Sequence, residues 1–349
     1  MIAIEYSLAH VAQEISRKAA FILFLALCGL SLTVSGLAQQ TTIITIDPPG
    51  SLKTIPLGIN AAGTVTGYYQ DLTSVHAFLR TSDGTYTTFD APGGTGTSGN
   101  SINAAGAITG NYVASRGFYG FHGFLRNPDG SYTLFDPPAS SSTYPESINS
   151  AGAIAGYYRT ADLVPHGFVR TPDGTITTFD PVASSATTVT GINDSGETIG
   201  YFVDANVLYQ GFIRALDGTI TTFAAREGQN TVPSSINSSG EIAGSWGPLN
   251  DTHAFVRAAD GTITNFVPVK RSTGEGVSSI NNAGRITGFY IEPDAMSHGF
   301  VRLPDGTFIT FGLPGVTYLF PLSINSLGAI TGYYQATIDT TSHGFLLTP

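Results

Sequence analysis

Six histidines would make a reactive cluster if the fold brought them together. His76, His122, His166, His253, His298 and His343 are all the histidines after residue 41, and each opens a similar phrase, such as "HGFVRTPDGTITTFDP" from His166. Imidazoles are metal ligands and proton carriers near neutral pH. Their recurrence points elsewhere, because chemistry needs a residue once whereas a contact between repeating units needs it in every unit. The fourth unit carries Gln210 in this place. Gln can share a hydrogen bond but is a poor zinc ligand. The sequence therefore predicts structural histidines, with no metal and no other cofactor.

The other recurring residues follow the same logic. Phe78, Phe124, Phe168, Phe212, Phe255, Phe300 and Phe345 stand two places after the His position, a same-face spacing in a strand that predicts a buried aromatic ring between units. Arg80, Arg126, Arg170, Arg214, Arg257 and Arg302 follow two further on, with Leu347 in the last unit. An Arg stem packed on aromatics with its head bonded to a turn is expected there, in preference to a basic ring for an anion. A glycine inside the second strand of each unit, Gly156 for example, predicts close approach of backbones between units. Asp47, Asp90, Asp136 and Asp180 end four fourth strands; capping of the next turn is preferred to a calcium ring.

The elements that position these residues follow from the period. Ile-Asn, a residue pair and Gly recur at Asn60, Asn103, Asn149, Asn193, Asn237, Asn281 and Asn325, spaced 43, 46, 44, 44, 44 and 44 apart. Periods near 44 suit four-stranded propeller blades. One unit reads as a strand ending at Ile148-Asn149, then "IAGYYR", "HGFVR" and "TITTFD", with Pro-Asp-Gly supplying the φ values of the last tight turn. The last unit stops at "HGFLLTP" without a fourth strand, and "TTIITIDPPG" near the start matches that missing strand. Residues 42–349 number 308, seven periods of 44. The expected fold is all-β: a seven-bladed β-propeller with four strands per blade, closed by the N-terminal strand completing the last blade.

The phrases "VHAFLR" at 75–80 and "THAFVR" at 252–257, with the "INxxGxITG" segment, resemble the HAF-repeat family of probable extracellular proteins, over essentially all of 42–349. This chain prefers Gly to Ala after the His and adds a "DGTxTTFD" strand. The resemblance implies a secreted β-repeat protein and supplies no catalytic residues.

Export is also read from the leader "SRKAAFILFLALCGLSLTVSGLAQQ", in which Arg17 and Lys18 precede an apolar stretch and Gly36-Leu37-Ala38 offers a cleavage site. Residues 1–38 are assigned as a signal peptide and 39–349 as one propeller domain, secreted or periplasmic; an uncleaved anchor is the alternative. Cys28, the sole cysteine, lies in the leader, so the mature chain would have no disulfide. A net charge of −10 with dispersed cations argues against nucleic acid, and after cleavage no membrane association is expected.

Function should lie where units depart from the repeat. Both tight turns fall on one face, and the longer loops on the other. Candidate ligand contacts on this loop face are Arg116, Phe118, Tyr119 and Phe121 in "VASRGFYGF", then Trp246, Lys270, Arg271 and Tyr318. Aromatics beside an Arg suit stacking on sugars or gripping a protein. The expected function is a monomeric, non-catalytic binding module for an extracellular polysaccharide or surface protein. Only six Glu residues follow the leader, with no evident pair. The rival is a propeller hydrolase or lyase using loop-face carboxylates.

Overall fold

The Ile-Asn-x-x-Gly segment is a tight turn whose side chain completes its own backbone. Asn149 Oδ1 accepts from the Ala153 amide at 2.9 Å, and Gly152 takes φ +87°, a left-handed value that favours glycine. The turn joins strand Ser142–Ile148 to Ile154–Arg159; strands Pro165–Arg170 and Ile176–Phe179 then complete an antiparallel meander. At the last corner Asp173 Oδ1 accepts from the Thr175 amide at 3.0 Å and Gly174 takes φ +95°. The strands read from the sequence are found in place.

The computed structural model describes residues 42–114, 120–248, 251–336 and 341–349. The proposed signal peptide and its cleavage site lie outside the described residues. Thr42–Thr348 fall into one compact unit of antiparallel sheets, with no helix among the described residues. Hydrogen bonding defines six sheets where seven blades were expected: five sheets have four strands and one has eight. The eight-stranded sheet is linked at one place, a parallel bridge between Val75 and Gly96. On either side of it, the strands from Lys53 to Phe89 and from Gly94 to Phe135 repeat the same four-strand order.

The strand Thr42–Thr45 pairs antiparallel with His343–Thr348, in register from Thr42↔Thr348 to Thr45↔Phe345. The first residues therefore supply the fourth strand of the last sheet. Ile46 and Leu346 share a core cluster with Ile59, Val65 and Phe78, so the two ends of the unit are packed into one another.

Packing between neighbouring sheets is aromatic. All seven predicted phenylalanines are fully buried. Phe135, on one fourth strand, meets Phe168 of the next sheet edge-on at 6.1 Å, and the same contact joins Phe179 to Phe212 at 5.9 Å. Arg170 lies over the Phe135 ring at 5.2 Å and donates to the Thr171 carbonyl at 3.3 Å, and Arg126, Arg214, Arg257 and Arg302 repeat both contacts. These cations are used between successive four-strand units.

The second-strand glycines correct the sequence reading. A Cβ on Gly156 would stand 2.2 Å from the Tyr144 carbonyl oxygen, on the paired strand of the same sheet and not on a neighbouring unit. The register shifts beside it, between Pro145 and Ser147, and corresponding shifts occur beside Gly67, Gly110, Gly200, Gly244, Gly288 and Gly332. Each glycine makes room for a β-bulge, which re-aims one residue of the adjoining strand.

Candidate functional site

The histidines do not converge. His76, His122, His166 and His343 each place Nδ1 2.8 Å from a carboxylate, on Asp90, Asp136, Asp180 and Asp47 respectively. Tyr69, Tyr112, Tyr158 and Tyr334 pack on these imidazoles with centroids 5.4–5.5 Å apart. The aspartates thus anchor the third strand, in place of the turn capping expected of them. Where the Asp is replaced the partner changes: His253 meets Glu275 at 3.3 Å, and Gln210 donates to Asp204 at 3.0 Å. Among the described residues, no three His, Cys, Asp or Glu side chains are grouped to hold a metal.

The asparagines do converge, around one opening. A cavity of about 310 Å³ is lined by residues from all seven Ile-Asn segments. Asn60 Nδ2 donates to the Asn103 carbonyl, Asn103 to Asn149, Asn149 to Asn193, Asn193 to Asn237, Asn237 to Asn281, Asn281 to Asn325, and Asn325 back to Asn60, at 2.8–3.3 Å. Each of the seven carboxamide oxygens also accepts from the amide four residues on in its own turn, as Asn149 does. This end is fully engaged in structure.

Behind that opening the bulges present one residue each: Leu57, Asn100, Glu146, Thr190, Ser234, Ser278 and Leu322. Five of them, with Tyr68 and Ser98, line a cavity of about 490 Å³. Tyr68 and Ser98 also line a groove of about 460 Å³, walled by Val75, Val113, Phe121 and Tyr144. Glu146 likewise joins the channel to a cleft of about 360 Å³ containing Tyr157, Val189 and Tyr201. Groove, channel and cleft thus share walls at the loop end.

Glu146 is the one acidic residue lining these three cavities. It keeps some contact with the channel, yet burial pushes its carboxyl up to about 7. Burial, followed by the charge of Glu146, pushes the Tyr157 phenol up. Tyr157 stacks on Tyr144 at 4.7 Å and 15°, and Phe121 meets the Tyr144 ring at 5.4 Å. An aromatic series therefore runs from the groove wall toward the acid.

The predicted ligand contacts are distributed unevenly. Phe121 is in the groove, 38 % exposed. Arg116, Phe118 and Tyr119 lie outside the described residues. Trp246 is buried, packed on His253 at 4.7 Å and covered by Arg226 at 5.0 Å, so it replaces the Tyr that packs on the histidine elsewhere and is no accessible contact. Lys270 and Arg271 are exposed, and Tyr318 is exposed beside Phe320; none of the three lines the connected cavities. Sequence reasoning missed Glu146, Tyr144 and Tyr157. The available signal was the column three residues before each Asn, which is variable while its surroundings repeat. Apolar loop tips, Leu72, Leu163, Val182 and Val207, stand exposed at the same end.

No protein-family model and no curated protein matches the sequence. Among solved structures, a streptogramin B lyase is similar over 88 % of this chain and 97 % of its own, at 13 % identity and TM-score 0.59. The virginiamycin B lyase of Staphylococcus aureus gives 89 % and 99 %, with 12 % identity and TM-score 0.55. The β-propeller domain of the Trilobed protease from Pyrococcus furiosus gives 85 % and 95 %, with 8 % identity and TM-score 0.62. At such identities the likeness concerns the fold alone. Four-stranded antiparallel sheets, a repeat near 44 residues and these neighbours make the chain a β-propeller.

Proposed function

We propose that the chain is an exported, monomeric, seven-bladed propeller of the HAF-repeat kind that binds an extracellular polysaccharide at its loop face without transforming it. The observation that carries this reading is the contrast in lining. The repeated His, Asn and Arg side chains are engaged within the scaffold, whereas the groove, channel and cleft are walled by residues that vary from unit to unit. Aromatic rings with small polar groups are what a sugar face needs, apolar contact with a few oriented hydrogen bonds. A blade count of seven is supported by the seven bulges and by an asparagine circuit that returns to Asn60. Closure is supported by the pairing of Thr42–Thr45 with His343–Thr348. No cofactor or nucleic acid enters this reading.

One observation favours the enzyme alternative. A carboxyl held near neutrality, as Glu146 is, suits a general acid or base. Hydrolases of glycosides pair it with a second carboxylate, and the three cavities hold one. Tyr157, pushed up rather than down, is poorly suited to serve as the base of a lyase. A glycan array followed by product analysis separates the readings: retention of intact oligosaccharides supports the binding module. Cleavage that disappears in Glu146→Gln contradicts it, and retention of surface proteins alone moves the partner from sugar to protein.

A further inference from the structure

The bulge positions give six neutral residues and one acid, and two of the neutral ones, Asn100 and Thr190, reveal what the acid lacks. Asn100 Nδ2 donates to the Pro145 carbonyl at 2.9 Å, and Thr190 Oγ1 donates to the Pro233 carbonyl at 2.8 Å. Each reaches into the next unit, to the carbonyl immediately before that unit's own bulge residue. For Glu146 the matching acceptor is the Val189 carbonyl, and the two residues line the same cleft. In its ionised form the Glu146 carboxyl has no hydrogen to give that carbonyl. Among the described residues Glu146 has neither a hydrogen-bond nor a salt-bridge partner. The titratable groups facing it across the cavities are the phenols of Tyr68, Tyr157 and Tyr201. The Arg159 guanidinium lies over the far ring of Tyr144 at 5.7 Å.

An acid that shares a cleft with Val189, Tyr157 and Tyr201 and also lines the channel lacks a cationic donor. A primary ammonium has three hydrogens and is attracted to aromatic faces. A calcium ion would need six or more oxygen ligands, and one carboxyl is a poor start. We infer that Glu146, the Val189 carbonyl and the rings of Tyr157 and Tyr201 form a subsite for a primary ammonium group, so that the bound saccharide carries free amino groups. This rests on the reading of the groove as a saccharide site.

The test is calorimetric titration of the full chain with two oligosaccharides that differ only at nitrogen. One is the β-1,4-linked glucosamine tetramer and the other its N-acetylated counterpart. A charged hydrogen-bonded pair gives the free-amino tetramer an advantage of about tenfold to a hundredfold in wild type. In Glu146→Gln, whose melting temperature is followed as a folding control, the ratio falls to about one. Equal affinities in wild type, or an advantage unchanged in Glu146→Gln, overturn the ammonium subsite while leaving the saccharide reading in place. Failure of both tetramers to bind overturns the saccharide reading and this inference with it. If neither tetramer binds but a lysine-bearing peptide does, in a Glu146-dependent way, the saccharide inference is overturned in favour of a protein ligand.

Discussion

The two ends of the channel are built from the same seven strands and are chemically unlike. At the turn end seven asparagines occupy equivalent places and pass one amide bond from unit to unit until the circuit returns. Three residues earlier in each strand, at the bulges, stand Leu, Asn, Glu, Thr, Ser, Ser and Leu. The first set repeats because each side chain donates to its neighbour's backbone carbonyl and accepts within its own turn, so a change in one breaks both bonds. The second set varies, and the bulges turn five of its seven members toward the channel cavity. Structural demand is therefore concentrated at one end, and room for recognition at the other.

The largest way to break the structural side is to remove residues 42–47. That deletes a paired strand, the fully buried Ile46 and the Asp47 partner of His343. A loss of about 4 kcal/mol or more is expected from the buried side chain and its bonds together, read as a lowered urea midpoint. Gly156→Ala comes next: its Cβ would meet the Tyr144 carbonyl, and forcing the strands apart costs about 2–3 kcal/mol by the same measurement. Because the bulge carries Glu146, this variant should also lose ligand binding.

A smaller effect sharpens the functional side. The folded carboxyl of Glu146 titrates at about 7 against an ordinary value of 4.5, so the native state holds its proton where the unfolded chain has lost it. Stability from this group is complete below pH 4.5 and declines as pH rises toward 7 and beyond. Melting temperature should therefore fall between pH 5 and pH 8 in wild type, and the fall should be smaller in Glu146→Gln, whose amide can donate where a carboxylate cannot. The turn aspartates run the other way, since hydroxyl and amide donors hold groups such as Asp83 and Asp173 below the usual carboxylate range. They lose their contribution only in stronger acid. Equal slopes for both proteins would remove Glu146 from the account of the channel.

What the sequence made legible was whatever recurs. The asparagine turns, the Asp-Gly corners, the phenylalanine ring and the missing fourth strand could all be read, because repetition averages out local ambiguity. The His–Asp pairs were only half legible, since residues fourteen apart meet across two strands and register is invisible in composition. Trp246 stood among the candidate contacts because it is the one tryptophan, but it also replaces the usual Tyr, which favours a packing role, and it is found buried against a histidine. Glu146 was passed over for the opposite reason. Its importance depends on a bulge, and a bulge is announced by the glycine of the neighbouring strand, not by the residue it turns.

The division between scaffold and site is tested most directly by crossing two variants with two readouts. Phe121→Ala should weaken oligosaccharide binding about tenfold, as loss of one stacked aromatic does, with little change in melting temperature. His166→Ala, which breaks the Asp180 bond, should lower the melting temperature and leave affinity at wild-type level. The reverse pattern, with affinity lost at His166 and only stability lost at Phe121, would contradict the account.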